Sequence, residues 1–407
     1  MSSSFDPIYQ NNCKAQQLKL LCPFLFHMKE NIQMFGKHIL DLAPSQTNNR
    51  NSEGSFITLK NGDILFVYTR YRGAGHGDEC TADLYGMTSA DGGDSFGDPF
   101  LVFSCEDVGA DNIMSVSLLR MANGDIGLFY LQKHNTEVYC LPYLVRSSDE
   151  GKTWHGHTKC VKNDGYYVLN NDRVICLESG RLLMPLAKHP SGKNPDGKLF
   201  FGEGTIYVLA SDDDGRTWNS MAEAIALPYK VWNDRGAGKA HSASSAMEPG
   251  LVQLESGLIW CYIRTTVGRQ YEMFSEDNGE TWTVPTPSRF TSPSSPLCVK
   301  KLSDHRLLAV WNPIPKHSGI KEVADGVWTG GRIQLNLAIL DKEAKGVPFA
   351  KAIESDEGSG FCYTAIHETD KGDILLAYCA GGKGDKNCLS RLRVRKIAKE
   401  ELVLREE

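Results

Sequence analysis

An aspartate that returns with the same neighbours is the first chemically informative feature of this 407-residue chain. The pattern S-x-D-x-G-x-[T/S]-[W/F] occurs at Ser89 to Phe96, Ser147 to Trp154, Ser211 to Trp218 and Ser275 to Trp282, with starts 58, 64 and 64 residues apart. Its chemistry is that of a hairpin turn. The Asp carboxylate accepts backbone N–H bonds, the Gly takes positive φ, and the terminal aromatic packs under the hairpin. Glu248 precedes Arg264 by 16 residues, which sets a carboxylate and a guanidinium on adjacent predicted strands. The twelve cysteines lie singly between Cys13 and Cys388, with no C-x-x-C pair and no clustered histidine, so no metal and no disulfide framework is expected. They read as buried free thiols in a reducing compartment.

Turns at a fixed interval imply strands between them. A polar turn followed by an apolar run recurs at Gly62-Asp63-Ile64-Leu65, Gly124-Asp125-Ile126, Gly180-Arg181-Leu182-Leu183, Gly257-Leu258-Ile259, His305-Arg306-Leu307-Leu308 and Gly372-Asp373-Ile374-Leu375. The five steps from 62 to 372 average 62 residues, matching the aspartate repeat. The intervening runs, such as Ile64 to Tyr68, Leu258 to Ile263 and Leu307 to Trp311, are short and rich in β-formers. Six such units, none able to bury both faces alone, predict an all-β, six-bladed β-propeller of four-stranded antiparallel blades. The period exceeds that of WD40 repeats (about 40 to 45) and of kelch repeats (about 50). The propeller is expected over residues 46–400. It leaves an N-terminal extension at 1–45 that closes the ring or wraps its outside, and a charged tail at 401–407. Helical periodicity is confined to Leu18 to Ile39 and to Ile397 to Glu407.

Composition narrows the function. The chain is 41% hydrophobic and 23% charged, with a net charge of -6, so it presents no overall basic field for nucleic acid. Its N-terminal apolar stretch, Leu18 to Phe26, is interrupted by Lys19 and Pro23 and lacks a cleavage pattern, and no run approaches the ~18 residues of a membrane span. A cytoplasmic protein without a membrane or nucleic-acid partner is expected, with no indication of its oligomeric state.

The aspartate turns resemble the Asp boxes, or BNR repeats, of the sialidase (neuraminidase) superfamily, and the resemblance covers about 350 residues. It implies a sialidase-like propeller. The box marks fold more than function, since it lies at the blade periphery and also occurs in propellers that are not glycosidases. A sialic acid carries a carboxylate beside its anomeric carbon, which calls for planar arginine forks and disfavours a carboxylate nucleophile. The family uses a tyrosine instead, activated by a glutamate, with an aspartate as acid/base. Met247-Glu248-Pro249-Gly250-Leu251 and Tyr262-Ile263-Arg264 resemble the segments of the family's glutamate and second arginine. Gly331-Arg332-Ile333-Gln334-Leu335 resembles that of the third arginine, and Cys362-Tyr363-Thr364-Ala365-Ile366 that of the tyrosine. Asp78, in Gly77-Asp78-Glu79, stands where the family keeps its acid/base, with Glu79 and Asp83 competing on the same loop.

The first arginine departs from the family. Members enter the first blade on an Arg-Ile-Pro-like motif, whereas here Arg50 stands in Asn48-Asn49-Arg50-Asn51-Ser52-Glu53-Gly54 without the proline, beside a Glu53 that reads as a structural ion pair. Arg70, Arg72, Arg173 and Arg269 are further pocket candidates, and the loop from Lys188 to Phe201 reads equally as pocket rim or connection. The resemblance implies a retaining, exo-acting hydrolase that takes terminal sialic acid from a glycan or glycoconjugate, without a cofactor. The alternatives are a hydrolase for a uronic or modified sugar and a non-catalytic carbohydrate-binding propeller.

Overall fold

Every turn of the second repeat joins the first two strands of an antiparallel meander in the computed structural model, which describes residues 35–402 apart from 74, 135–137, 194–198, 202, 229–231, 234–240, 243–244 and 316–317. Gly62, Gly124, Gly180, Gly257 and Gly372 sit at φ between 84° and 89°, and His305 takes the same left-handed turn at 68°. Glycine adopts this conformation without a Cβ clash, which is why it recurs there. The Asp boxes join the third and fourth strands. In each, the Asp accepts from the hydroxyl of the Ser two residues earlier at 2.7–2.8 Å, and from both the amide and the hydroxyl of the Ser or Thr four residues later. These bonds from the following Ser or Thr hold the Asp91, Asp149 and Asp277 carboxyls below the ordinary aspartate range.

The first sheet runs Arg50–Thr58, Ile64–Tyr71, Ala82–Ser89 and Phe100–Phe103. Two further meanders, from Asn112–Arg120 to His155–Lys159 and from Ile175–Cys176 to Asn219–Ile225, are fused into one nine-stranded sheet by Tyr166–Val168. The next sheet holds Ala246–Gln253, Ile259–Thr265, Arg269–Ser275 and Thr286–Thr291. It is followed by one of Cys298–Lys301, Leu307–Trp311, Gln334–Leu340 and Phe349–Ser355. The last sheet holds Cys362–Glu368, Ile374–Cys379, Leu392–Ile397 and, on its outer edge, Lys37–Leu42, paired from Lys37 with Lys396 to Leu42 with Leu392.

Alternation along each strand sends side chains to both neighbouring sheets. Leu65 and Val67 pack with Ile126 and Leu128 of the following sheet, whereas Ile64, Phe66 and Tyr68 pack with Leu375, Ala377 and Val394 of the last. A strand buried on both faces needs a continuous apolar run, and full burial of a side chain such as Phe66 contributes about 1.5–3 kcal/mol. Similar clusters join the later sheets in turn, so the series closes on itself. Near the centre, the buried Asp172 accepts from Ser55 Oγ (3.1 Å), Lys300 Nζ (3.0 Å) and the Ile366 amide (3.0 Å), tying three sheets to its own.

The helical reading of Leu18 to Ile39 is corrected where it can be compared. Residues 1–34 lie outside the described ones, and Ile39 belongs to the strand Lys37–Leu42, where pairing with Leu392–Ile397 overrides local periodicity. The tail forms a single 3₁₀ turn at Lys399–Leu402, and 403–407 lie outside the described residues. In the loop from Lys188 to Phe201, Ser191–Lys193 pairs with Leu199–Phe201, and 194–198 lie outside the described residues. The ten described cysteines are free thiols, eight of them buried, and Cys13 and Cys22 fall among the undescribed residues. Among the described residues no helix is long and apolar enough to cross a membrane.

Candidate active site

On the first strand of four meanders the pairing register slips by one residue, between Ser52 and Ser55, Met114 and Ser117, Met247 and Gly250, and Cys362 and Ala365. The first residue of each bulge is Glu53, Ser115, Glu248 or Tyr363, at φ 54°, 60°, 40° and 57°. None is glycine, so each left-handed backbone costs on the order of 1 kcal/mol, strain that persists where the surrounding structure fixes it and that concentrates at functional sites. A bulge also re-aims its side chain, and here it does so at equivalent places in different sheets.

Two of these residues meet. The Tyr363 hydroxyl donates to Glu248 Oε1 at 3.1 Å. Arg264, opposite Met247 on the neighbouring strand, donates through Nη1 to Glu248 Oε2 (2.6 Å) and to the Tyr363 oxygen (3.2 Å). Burial, reinforced by the Glu248 charge, pushes the Tyr363 phenol far above its ordinary range, so it stays protonated at neutral pH. Arg332 follows Gly330 and Gly331, both at positive φ, and lies 5.3 Å from the centroid of the Tyr363 ring. It donates to Cys362 Sγ (3.0 Å) and to the Ser294 carbonyl (3.0 Å), while the Ser294 hydroxyl accepts from Arg264 Nη2 (3.1 Å). The two guanidinium groups are thus clamped by one serine. Each keeps a buried Nε–H without an acceptor.

A second group borders the first. Arg50, fully buried, stacks on Tyr71 and spends four N–H groups on Ser52 Oγ (3.0 Å), the His76 carbonyl (3.2 Å), Asp78 Oδ1 (2.6 Å) and Glu53 Oε2 (3.2 Å). The two carboxyls on this one guanidinium diverge. Burial disfavours the Asp78 charge, but Arg50, Lys133 and Arg264 outweigh it and bring the pKa down to about 2. At Glu53 burial wins over Arg50, aided by the charges of Asp78 and Glu248, and the pKa rises to about 7. Lys133 donates to the Asp78 carbonyl at 2.9 Å. The Asp78 side chain is 52% exposed, whereas that of Glu53 is 4% exposed.

The remaining candidates stand apart from this centre. Asp83 accepts from Arg72 Nε (2.8 Å) and the Cys105 amide (3.0 Å), and Arg72 also binds Glu106, so the four residues form one knot that runs from the buried Asp83 and Cys105 to the exposed Glu106. That knot includes the only Asp, Cys and Glu cluster of metal-ligating geometry among the described residues, and Arg72 already ion-pairs with both of its carboxylates. Glu79 is exposed, with its carboxylate 3.9 Å from Cys80 Sγ. Arg70 lies over the Tyr85 ring. Arg173 is buried on Tyr262 Oη (3.4 Å) and the Leu297 carbonyl (2.7 Å), and the exposed Arg269 donates to the Ser288 carbonyl. The structure brings Arg50, Asp78, Glu248, Arg264, Arg332 and Tyr363 together and adds Glu53, Lys133 and Ser294. Glu53 was legible as a partner of Arg50; Lys133 and Ser294 carry no motif.

Antiparallel meanders that pack in series around such a centre make an all-β fold similar to sialidase propellers. The chain belongs to the BNR repeat-like domain family, whose model matches residues 106–376. No curated protein matches the sequence. Among solved structures it is similar to a protein of unknown function from Dyadobacter fermentans, at TM-score 0.64 and 19% identity over 89% of this chain and 99% of that one. It is also similar to the NanB sialidase of Streptococcus pneumoniae (TM-score 0.64, 15% identity, 90% of this chain and 71% of that one). A leech intramolecular trans-sialidase, complexed with 2,7-anhydro-Neu5Ac, aligns with TM-score 0.64 and 15% identity over 91% and 71% of the two chains.

Proposed function

We propose that the protein is a six-bladed propeller and a retaining, exo-acting glycoside hydrolase that releases a terminal sialic acid, or a related acidic sugar, from a glycan. The observation that carries this reading is the hydrogen-bonded set of Tyr363 from the last sheet with Glu248 and Arg264 from adjacent strands of another, the tyrosine and the glutamate both on left-handed backbone. Tyr363 Oη attacks the anomeric carbon while Glu248 takes the phenol proton, and Asp78, which must first take a proton from solvent against the pull of Arg50, passes it to the departing glycosidic oxygen as that C–O bond breaks. Water, deprotonated by Asp78, then displaces tyrosine from the sugar while Glu248 returns its proton to the phenol oxygen, and the configuration is retained overall. Arg264 and Arg332 hold the substrate carboxylate, with Arg50 at its flank. Six equivalent turns and the closing set of sheets support the blade count, with the body extending from Lys37 to Leu402.

A second reading has its own support. Arg50 is fully buried and bridges two carboxylates, Asp78 and Glu53, whereas Arg264 bonds one and Arg332 none, so Arg50 has the least charge to offer a ligand. That favours a uronic or otherwise modified acidic sugar as substrate. A panel of fluorogenic sugars that includes sialosides and glucuronides tests both readings. Turnover of a sialoside supports the first, turnover of a glucuronide alone the second, and binding without turnover leaves a carbohydrate-binding propeller.

A further inference from the structure

We propose, resting on the reading of this centre as a site for an acidic sugar, that Glu53 is a positioning carboxyl: held on Arg50, it decides how much positive charge the ligand meets. Geometry carries the assignment. Glu53 occupies the bulge position in its strand that Glu248 and Tyr363 occupy in theirs, with the same left-handed backbone, and it is 3% exposed. It shares one guanidinium with Asp78, through the longer of the two bonds, 3.2 against 2.6 Å. The Ser52 hydroxyl donates to the same Oε2 at 3.1 Å.

The groups that act on it come from every side. Arg50, Asp78 and Tyr71 lie on the first sheet and its loop, Cys140 on the next, Glu248 on the third, and Tyr363 and Cys379 on the last. Arg50 is the one cation among them, and Asp78 already engages it. With Glu53 protonated, Arg50, Arg264 and Arg332 face the carboxylates of Asp78 and Glu248. With Glu53 ionised, they face three. An anionic sugar therefore prefers the protonated state, and a neutral sugar does not discriminate. Burial holds that proton up to a pKa of about 7 against the pull of Arg50, which sets the transition inside the working pH range.

The test measures affinity for 2-deoxy-2,3-didehydro-N-acetylneuraminic acid and for its methyl ester by calorimetry across neutral pH, in wild type and Glu53→Gln. Wild type should lose about tenfold in affinity for the acid as Glu53 ionises, the equivalent of one pKa unit of charge interaction. The glutamine variant should keep the tighter value throughout, and the ester should show no fall in either protein. Equal falls in both proteins, or a fall with the ester, overturn the proposal. Glu53→Asp serves if the glutamine variant does not fold, and it should move the midpoint of the fall without abolishing it.

Wild type that binds neither ligand defeats the acidic-sugar reading, and heat then tests Glu53 alone. A carboxyl whose folded pKa exceeds its unfolded value, near 4.3 for glutamate, stabilises fully below that value and loses the contribution as pH rises through about 7. The Tm of wild type relative to Glu53→Gln must fall over that window. A difference independent of pH overturns the proposal.

Discussion

The Tyr363 hydroxyl donates to Glu248 at 3.1 Å, although 115 positions separate the two residues in the chain. Each stands at the same point of its own strand, the first residue of a bulge, and Arg264 touches both. A phenol held protonated by burial is a poor nucleophile until a base takes its proton, and Glu248 is the group within reach. Tyr363→Phe keeps the ring beside Arg332 and removes the oxygen that attacks in the proposed mechanism. Turnover should fall by about 10²-fold or more, the low end for losing one proton-moving group. Wild type should be labelled on Tyr363 by a 2,3-difluorosialic acid, which peptide mass spectrometry reads directly, and label on another residue counts against the assignment.

On the proposed mechanism Asp78 and Asp83 differ by role. Asp78→Asn should reduce kcat by about 10²- to 10⁴-fold on substrates with poor leaving groups and much less on highly acidic leaving groups, which need little protonation. Asp83→Asn loosens the knot with Arg72 and Cys105 and should lower Tm without altering leaving-group dependence. A leaving-group effect at Asp83 rather than Asp78 would reverse the two roles.

Arg264→Lys and Arg332→Lys keep the charge and lose the planar fork. Each should forfeit on the order of 2 to 4 kcal/mol of transition-state binding for an acidic sugar and far less for its ester. The ratio of kcat/KM for the two substrates is the quantity to compare. Equal losses on acid and ester would assign the arginines to structure, because both also brace Ser294.

Asp172 holds sheets together rather than substrate. Burial opposes its charge, but Lys300 and the Ile366 amide prevail and its carboxyl titrates below the usual range. Its contribution is therefore present above the unfolded value of about 3.9 and lost as pH falls through the lower folded value. Asp172→Ala strands Ser55 and Lys300 and should cost about 2 to 4 kcal/mol, seen as a lower Tm at neutral pH and a smaller difference in strong acid. An unchanged Tm would show that the axis is held by apolar packing alone.

The repeating turns were legible because their chemistry is local. Gly62 and its equivalents need positive φ, and each Asp box closes on its own Ser and Thr, so position in the sequence fixes position in the meander. Tyr363, Glu248 and Arg264 could be named through resemblance, but their bonds span sheets and have no local signature. Bulges leave no compositional trace. Glu53 consequently read as the partner of Arg50 alone, with no hint that it stands level with Glu248 and Tyr363. Lys37–Leu42 was hidden for a related reason: its strand conformation comes from Leu392–Ile397, not from its own residues.

That last pairing sets a timetable for biosynthesis. The sheet that carries Tyr363 gains its outer strand from residues made before any other sheet and its neighbouring strand from residues made after nearly all of them. Earlier meanders can form as they emerge from the ribosome, but contacts between Lys37 and Lys396 wait until Lys396 itself has emerged, and such long-range closure is slow. Until then the nascent chain presents an uncovered edge to its surroundings, which invites aggregation or a chaperone. A message truncated before Leu392 would yield several formed meanders and leave only two strands, Cys362–Glu368 and Ile374–Cys379, in the sheet that carries Tyr363.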